Sequence, residues 1–180
     1  MKIGVLAVQG AFIEHEHIIE KIGHEVVEIR QRKDLDGIDG IILPGGESTV
    51  QGQLLRKLDM LATIKSLIAD GLPTLATCAG LILLAGHIDN DDSVHIGTLP
   101  VTVKRNAYGR QLGSFVRTAP MKGFDEFPMI FIRAPYISSI KDNVDVLAAV
   151  NDRIVAVQYN NQIGLAFHPE LSGDTRIHEY

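Results

Sequence analysis

The first half of the chain alternates between short strand-like segments and segments whose apolar residues have helical spacing. Strands are predicted over residues 3–8, 25–30, 40–43 and 73–77. The helices predicted between and after these strands contain Ile13, Ile18, Ile19 and Ile22, then Leu54, Leu55, Leu58 and Leu61, then Ile64, Leu67 and Ile68, and finally residues 79–86. This order predicts an α/β fold, with a three-layer, doubly wound, mostly parallel sheet and helices on both faces.

After about residue 95 the pattern changes to short strand-like segments that turn residues separate. These segments cover residues 96–106, 113–119, 129–135, 144–150, 153–159 and 162–170. We therefore expect β-hairpins in the second half, added to the same sheet. A very short last helix is expected within residues 172–180, capped by Ser172 or Asp174. Because no linker, repeat or low-complexity segment interrupts the chain, residues 1–180 are expected to form a single domain.

The charge and composition exclude several classes of function. A net charge of -5, a pI near 5.8 and scattered Lys and Arg residues argue against a nucleic-acid-binding surface. A single cysteine forms no internal disulfide, which suits a reducing compartment. No apolar run reaches the ~18 residues expected of a membrane span, and no metal-ligand spacing occurs. We expect a cytoplasmic protein without nucleic acid, membrane, metal or cofactor.

The one cysteine, Cys78, lies where the fourth predicted strand meets a helix. Parallel sheets bind ligands at this end of their strands. Ala76 and Gly80 are small, as a nucleophile held in a sharp strand-to-helix turn requires of the residues two before and two after it. The N-terminus of the following helix favours a thiolate, and the amide of Ala79 would lie beside an oxyanion formed on Cys78. The alternative is that Cys78 is a buried structural residue.

The segment FHPEL, residues 167–171, offers a base for this thiol. His168 ends an apolar run, and in an extended chain Glu170 points the same way. A Cys–His pair with a carboxylate behind the imidazole forms a nucleophilic triad, in which His168 deprotonates Cys78 and Glu170 holds the tautomer. Alternatively, His168 is a satisfied histidine at a strand end. The other histidines show no partner pattern and are expected at the surface or at caps: His15, His17, His24, His87, His95 and His178.

The glycine-rich segment LPGGESTV, residues 43–50, follows the third predicted strand. It lacks the lysine of an ATP-binding loop, and the N-terminal segment lacks a dinucleotide fingerprint. The backbone amides of this segment, that of Gly46 above all, are expected to complete an oxyanion hole with Ala79. The alternative is a plain turn in which Ser48 caps the next helix.

Together, the PGG loop, the cysteine elbow and the late HPE resemble the class I, or triad, glutamine amidotransferases, which have a flavodoxin-like fold. Further motifs narrow the resemblance to the glutaminase subunit of pyridoxal phosphate synthase, the PdxT family. These motifs run in the family's order from residue 3 to about residue 173: GVLAVQGAFIEH, LPGGEST, TCAGLILLA, VKRNAYGRQLGSF, FIRAP and FHPEL. The usual elbow is G-x-C-x-G, and Ala76 departs from it while remaining small. The family usually continues into a C-terminal helix, which is expected to be short or missing here.

The resemblance implies hydrolysis of L-glutamine to L-glutamate and ammonia through a γ-glutamyl thioester on Cys78. The residues that it assigns to glutamine binding are Gly46, Glu47, Ser48, Arg105, Ile132 and Arg133. Either arginine would supply a cation for the substrate carboxylate, and Glu47 would accept from its ammonium group. Without the resemblance, both arginines fit a solvated surface equally well.

The resemblance also implies a partner, the TIM-barrel synthase subunit of the PdxS family, which would use the ammonia to build pyridoxal phosphate. Gln9 follows the first strand at the same sheet end as Cys78, so it is expected to couple the two subunits, unless it only bonds to loop backbone. Three other functions stay open at this point. They are a glutaminase for another acceptor, such as the imidazole glycerol phosphate branch, a doubly wound binding or stress-response domain, and an inactive amidotransferase-like partner protein.

Overall fold

A computed structural model describes residues 1–106 and 113–180. The α-helices in these ranges are α1 (Phe12–Lys21), α2 (Ser48–Lys57), α3 (Leu61–Ala69), α4 (Ala79–Leu84) and α5 (Arg176–Glu179). The strands are β1 (Lys2–Leu6), β2 (Glu25–Ile29), β3 (Gly40–Leu43), β4 (Thr74–Thr77), β5 (Ala85–Ile88), β6 (Leu99–Lys104), β7 (Ser114–Met121), β8 (Phe124–Ile132), β9 (Tyr136–Ile140), β10 (Asp145–Val150), β11 (Arg153–Tyr159) and β12 (Gln162–Leu165). Two 3₁₀ turns cover Arg32–Leu35 and Pro169–Leu171.

Within the described residues the main sheet has ten strands, in the order β2-β1-β3-β4-β12-β11-β9-β6-β5, with β10 paired to β11. The five strands from β2 to β12 run parallel to one another. Beyond them, β11 is antiparallel to β12, β10 and β9, and β9 is antiparallel to β6. The predicted α/β fold, with a doubly wound, mostly parallel sheet and added hairpins, is confirmed.

Alternate residues of the parallel strands point to opposite faces of the sheet, because successive side chains alternate along a strand. One face packs against α1 through Ile3, Val5, Ile19 and Ile42. The larger core includes side chains of the other face and of α2, α3 and α4, among them Ile41, Leu43, Leu55, Ile64 and Leu81. Helices therefore cover both faces, which gives the predicted three layers.

Three neighbouring parallel strands end together and position the candidate site. Leu43 at the end of β3 lies opposite Ala76 of β4, and Leu165 at the end of β12 lies opposite Thr77. The glycine-rich loop follows β3, Cys78 follows β4, and the FHPEL segment follows β12. The carboxyl ends of parallel strands share one edge of the sheet, where open α/β sheets bind their ligands.

Helix α4 is shorter than predicted. It ends at Leu84, and the last two residues of the predicted helix belong to β5, which pairs parallel to β6. An apolar run does not by itself distinguish a buried helix from a buried strand. Gly86 also disfavours continuation of the helix past its observed end.

Two features of the second half differ from the sequence prediction. In the described residues, β7 and β8 form a separate two-stranded sheet instead of joining the main one. Strand β9 has no counterpart among the predicted strands, because the exposed residues Ser138 and Ser139 interrupt its apolar alternation. Pairing with β6 and β11, and not the pattern of β9 itself, fixes this strand.

The last helix, α5, is four residues long, and Thr175 is its N-cap residue. The prediction of Ser172 or Asp174 as the cap is therefore wrong. Both residues stabilise the turn before the helix instead: the amide of Asp174 donates to Ser172 Oγ at 3.2 Å, and the amide of Arg176 donates to Asp174 Oδ1 at 3.0 Å. Across residues 1–106 and 113–180, no helix has the length and apolar character needed to span a bilayer.

Candidate active site

Cys78 lies in a strained turn between β4 and α4. Its φ of 48° and ψ of -101° are uncommon for an L-residue, and such backbone strain costs about 1–3 kcal/mol. The amide of Cys78 donates to Leu165 O at 2.8 Å, which ties the turn to the end of β12. A Cβ at position 80 would collide with the carbonyl oxygen of Leu43, so the close approach of α4 to β3 requires Gly80. This geometry favours the nucleophile over the buried structural thiol.

Cys78, His168 and Glu170 form a connected set of side chains. The imidazole of His168 interacts with the thiol of Cys78, and its Nδ1 lies 2.6 Å from Glu170 Oε1. An ionised carboxylate only accepts hydrogen bonds, so Nδ1 carries a proton and Nε2 is left for the thiol. The amide of His168 donates to Ile130 O at 2.8 Å. A Cβ at Gly45 would collide with the imidazole, so glycine at that position lets the loop lie against the ring.

The electrostatics of His168 suit a cysteine nucleophile. Burial by itself lowers the pKa of the imidazole, but hydrogen bonds with Cys78 and Glu170, together with the negative charge of these partners, raise it to about 10. The ring therefore keeps its proton at neutral pH. A protonated His168 beside Cys78 can stabilise a thiolate, which is the form in which a cysteine attacks.

A cleft of about 640 Å³ opens at this edge of the sheet. Its volume falls in the range of roughly 300–1,000 Å³ that is typical of small-molecule sites. All the predicted site residues except Glu170 line it: Gln9, Gly46, Glu47, Ser48, Cys78, Ala79, Arg105, Ile132, Arg133 and His168. The side chain of Glu170 lies behind His168 and is fully buried. The fold thus brings the predicted residues together, while their individual roles stay predictions.

Two glutamine side chains hold the glycine-rich loop. The amide of Glu47 donates to Gln9 Oε1 at 2.8 Å, and Gln51 Nε2 donates to the carbonyl oxygens of Gln9 at 3.0 Å and Pro44 at 3.3 Å. Gln9 therefore bonds to loop backbone, as its structural alternative requires, and it also lines the cleft. Its role in coupling to a partner stays a prediction.

The start of α2 differs from the plain turn considered above. Glu47, and not Ser48, is the N-cap residue, and its carboxylate accepts from the amide of Thr49 at 3.2 Å. The side chain of Ser48 is therefore not needed as a cap, although the residue is buried. Both Glu47 and Ser48 line the cleft, where the resemblance assigns them to glutamine.

Two backbone amides near Cys78 are candidates for an oxyanion hole. Ala79 is the first residue of α4, and the amides of a first turn have no intrahelical acceptor. Gly46 lies in the loop on the same cleft, packed so closely that a Cβ there would lie 2.5 Å from Gln9 Oε1. The assignment of these amides to the oxyanion stays a prediction.

Arg105 and Arg133 reach the cleft from different segments. Arg105 follows β6, and its Nη1 lies 3.2 Å from Asp91 Oδ2. Its Nε and Nη2 are buried and have no hydrogen-bond partner among the described residues. Arg133 follows β8 with a φ of 44°, and its amide donates to the carbonyl oxygen of Gly113. Residues 107–112, which belong to the VKRNAYGRQLGSF motif, lie outside the described residues.

Aromatic packing joins the β7–β8 hairpin to the edge of the main sheet that carries the candidate site. Phe131 stacks on Phe115 with ring centroids 4.6 Å apart, and it meets Phe167 edge-on at 5.7 Å. Phe167 directly precedes His168 in the chain. The hairpin therefore places Ile132 at the cleft through contacts with the same segment that carries His168.

Two histidines that are expected at the surface or at caps, His15 and His95, are instead buried, and His24 and His178 are half-buried. His15 is fully buried in α1, and its Nε2 lies 3.4 Å from Glu170 Oε2. The available signal is helical spacing, because His15 precedes the buried residues Ile18 and Ile19 by three and four positions. In the described part of the chain, no group of three or more His, Cys, Asp or Glu side chains is arranged to hold a metal ion.

Residues 5–180 match the SNO glutamine amidotransferase family. A relative from Desulfitobacterium hafniense, named pyridoxal 5'-phosphate synthase subunit PdxT, is 59% identical over 180 residues, which cover 99% of this chain and 90% of the relative. A protein of the same name from Streptococcus pneumoniae is 51% identical over 184 residues, which cover 100% of this chain and 95% of that protein.

Solved structures agree with the family match. A crystal structure of a glutamine amidotransferase has a TM-score of 0.95 at 38% identity, and the match covers 99% of this chain and 95% of that one. PurLQS from Thermotoga maritima has a TM-score of 0.67 at 19% identity over 98% of this chain and 90% of its own, which shows a shared fold alone. The family expected from the motifs is thereby confirmed, and the chain belongs to the SNO glutamine amidotransferase family.

Proposed function

We propose that Cys78, His168 and Glu170 hydrolyse L-glutamine to L-glutamate and ammonia, as the glutaminase subunit of a pyridoxal phosphate synthase. The observation that carries this proposal is the connected set of side chains at one cleft. A thiol in a strained turn interacts with an imidazole, whose Nδ1 donates to a buried carboxylate at 2.6 Å. Glutamine hydrolysis is the reaction of the family to which the chain belongs.

In the first half-reaction, the thiolate of Cys78 attacks the side-chain amide carbon of glutamine and forms a C–S bond. The carbonyl oxygen becomes an oxyanion, which the amides of Gly46 and Ala79 stabilise. The C–N bond then breaks, and His168 gives its proton to the departing nitrogen, which leaves as ammonia. Glu170 keeps the imidazole in the required tautomer throughout.

In the second half-reaction, His168 takes a proton from water, and the resulting hydroxide attacks the γ-glutamyl thioester. The C–S bond breaks, glutamate leaves, and the proton held by His168 restores the resting ion pair with the thiolate. No cofactor enters this sequence of steps.

Recognition of glutamine requires groups for both charges of a free amino acid. We assign the substrate carboxylate to Arg105, because its Nε and Nη2 are buried without a partner in the described residues and its side chain lines the cleft. Glu47 accepts from the substrate ammonium group. Ser48, Ile132 and Arg133 complete the contacts that line the cleft around the substrate.

The synthase partner follows from the relatives, which are named as subunits of pyridoxal 5'-phosphate synthase. We assign the partner to the PdxS family of TIM-barrel subunits, which receives the ammonia, and Gln9 to the coupling between the two subunits. Gln9 suits this role because it contacts the loop that carries Gly46 and also lines the cleft. A nucleophilic thiol suits a reducing compartment, so we place the reaction in the cytoplasm.

We further propose that residues 1–180 work as one domain. The main sheet draws β1 from near the first residue and β12 from near the last, and the site needs both. A binding or stress-response domain without catalysis would have no use for the buried pair of His168 and Glu170.

The test is glutamate release from glutamine by the purified chain, with and without its synthase subunit, beside Cys78→Ala. Activity that depends on the partner and disappears in Cys78→Ala is the expected result. Activity that survives in Cys78→Ala would remove the thiol from the mechanism. Full activity without the partner would retain the triad and contradict the coupling assigned to Gln9.

A further inference from the structure

Glu170 has two carboxylate oxygens, and the triad uses only one of them. Oε1 accepts from His168 Nδ1 at 2.6 Å. Oε2 is buried, and it makes no hydrogen bond of standard geometry with any described residue. The polar group that faces Oε2 is the Nε2 of His15, 3.4 Å away. Burial of a carboxylate oxygen without a donor is costly, so the histidine that faces it is more than a packing element.

His15 is held from both sides. The residue is fully buried in α1, which packs on β1, β2 and the turn that carries Glu170. Its Nδ1 lies 2.9 Å from Nε2 of His178, a residue of α5. Its Nε2 lies 3.3 Å from Oγ1 of Thr77, the residue before the nucleophile. The ring therefore touches three separate segments of the chain: α5, the end of β4 and the turn that carries Glu170.

The contacts select one tautomer of His15. If Nδ1 carried the proton, the lone pair of Nε2 would face the negative charge of Glu170, and the carboxylate oxygen would have no donor. If Nε2 carries the proton, it points towards Glu170 Oε2 and Thr77 Oγ1, and Nδ1 accepts from the Nε2–H of His178. Both rings stay neutral, because burial lowers the pKa of His15 well below its usual value and lowers that of His178 to about 4, with Asp174 opposing the latter shift.

We propose that His15 is a positioning residue that orients the free oxygen of Glu170 through its Nε2–H, with its tautomer fixed by His178. The line of contacts runs from His178 to His15, to Glu170, to His168 and ends at Cys78. This inference rests on the triad proposed above and adds the group that keeps its carboxylate in place. Neither His15 nor His178 lines the cleft, so neither is placed to touch the substrate.

The test compares two variants that differ by one methylene. The amide nitrogen of His15→Gln reaches the position of Nε2, so this variant keeps a neutral donor for Glu170. The side chain of His15→Asn reaches only as far as the position of Nδ1, where its amide oxygen accepts from the Nε2–H of His178, so this variant keeps that contact and loses the donor for Glu170. We measure kcat and KM for glutamine hydrolysis in the complex with the synthase subunit.

The expected results differ between the two variants. His15→Gln keeps kcat within about threefold of the unchanged protein because its donor remains. His15→Asn lowers kcat about 10- to 100-fold with KM unchanged, as expected when a reacting group is misplaced by a fraction of an ångström or more. Equal kcat values in the two variants would overturn the proposal, because the packing of the His15 side chain alone would then explain its effect on kcat.

A Glu170→Gln background separates this role from general damage. With the carboxylate gone, His15→Asn has nothing left to orient and should lower kcat by less than about twofold further, since residues that act as a unit are not additive. A further loss as large as in the unchanged background would overturn the proposal. Failure of the triad itself would show differently, as activity that survives in Cys78→Ala.

Discussion

The edge of the parallel sheet and the β7–β8 hairpin contribute to the same cleft in different ways. At the edge, Cys78 and His168 follow neighbouring strands, and the hydrogen bond from the amide of Cys78 to Leu165 O fixes their relative position. The hairpin supplies Ile132 and Arg133 from the end of β8 and is held by aromatic packing. Buried, rigid elements thus carry the reacting groups, and an accessory sheet carries groups for recognition. Changes at the edge should therefore alter kcat, and changes among the recognition groups should alter KM.

The largest effect is expected from Cys78→Ala, which removes the nucleophile. We expect kcat for glutamine hydrolysis in the synthase complex to fall on the order of 10⁴-fold or more, as when other covalent nucleophiles are removed. Glutamine binding, measured by calorimetry, should persist because the recognition groups are intact. Loss of binding together with activity would contradict the separation of the two regions.

A matched variant, Cys78→Gly, tests the strain at the elbow. It should be as inactive as Cys78→Ala, yet more stable than Cys78→Ala by about 1 kcal/mol, because a positive φ costs glycine little. Thermal melting of the two variants measures the difference. Equal melting temperatures would show that the turn relaxes once the thiol is gone.

The next largest effect is expected from Glu170→Gln. The amide cannot balance an imidazolium, so kcat should fall on the order of 10²–10⁴-fold, as for the acidic members of other triads. KM should change little, because Glu170 lies behind His168 and does not line the cleft. A rise in KM at unchanged kcat would place Glu170 on the recognition side of the comparison.

A smaller effect, on KM instead of kcat, is expected from Arg105→Met. Loss of hydrogen bonds to a charged carboxylate, about 1.5–3 kcal/mol, should raise KM about 10- to 150-fold. The control is Arg117→Met, because Arg117 is exposed on β7 and does not line the cleft. A fall in kcat at saturating glutamine, with KM unchanged, would show that Arg105 acts on the reacting groups.

The smallest effect concerns the pH dependence of the free energy of unfolding. Strands β7 and β8 contain no histidine, so the buried histidines that cause this dependence lie outside the hairpin. Burial lowers the pKa of His178 to about 4, with Asp174 partly opposing the shift. Protons then bind the unfolded chain more readily as the pH falls from about 6.5 to 4, so stability is lost over that window. His168 has the opposite sign: with a pKa of about 10, it contributes stability that is fully present below pH 6.5 and is lost as the pH rises through 10.

Melting curves of two variants test the contribution of His178. Between pH 6.5 and 4, the melting temperature of His178→Gln should fall less than that of the unchanged protein. The difference should be about 2–4 °C for each kcal/mol of pH-dependent stability that His178 contributes. His87→Gln, at an exposed position on β5, is the control. If both variants follow the unchanged protein, His178 is not the group that titrates in this window.

Much of the site followed from local sequence. The spacing of Ala76, Cys78 and Gly80 predicts the elbow, and the end of an apolar run predicts where His168 lies, because parallel strands end at one edge. The local sequence does not predict, however, that β12 pairs with β4, because this pairing depends on the arrangement of the whole sheet. The predicted residues meet because the register aligns Leu165 with Thr77.

The pattern of apolar residues does not predict other features of the structure. The separate hairpin sheet depends on packing of Phe131 against Phe167, residues far from each other in the chain. As a polar residue of α1, His15 is expected at the surface, and only its spacing to Ile18 and Ile19 indicates that it is buried. Polar residues that serve a buried network break the rule that relates polarity to exposure, so they are found only with the fold in hand.

The central position of β12 has a consequence for the order of folding. This strand lies between β4 and β11, although it follows β4 by more than eighty residues, and the amide of Cys78 bonds to its last residue. During synthesis the N-terminal half emerges with β4 as an open edge, and the gap closes only when β12 inserts. The thiol therefore has no base until residues 162–168 have been synthesised, and a nascent chain that lacks them has no assembled site to release ammonia away from a partner.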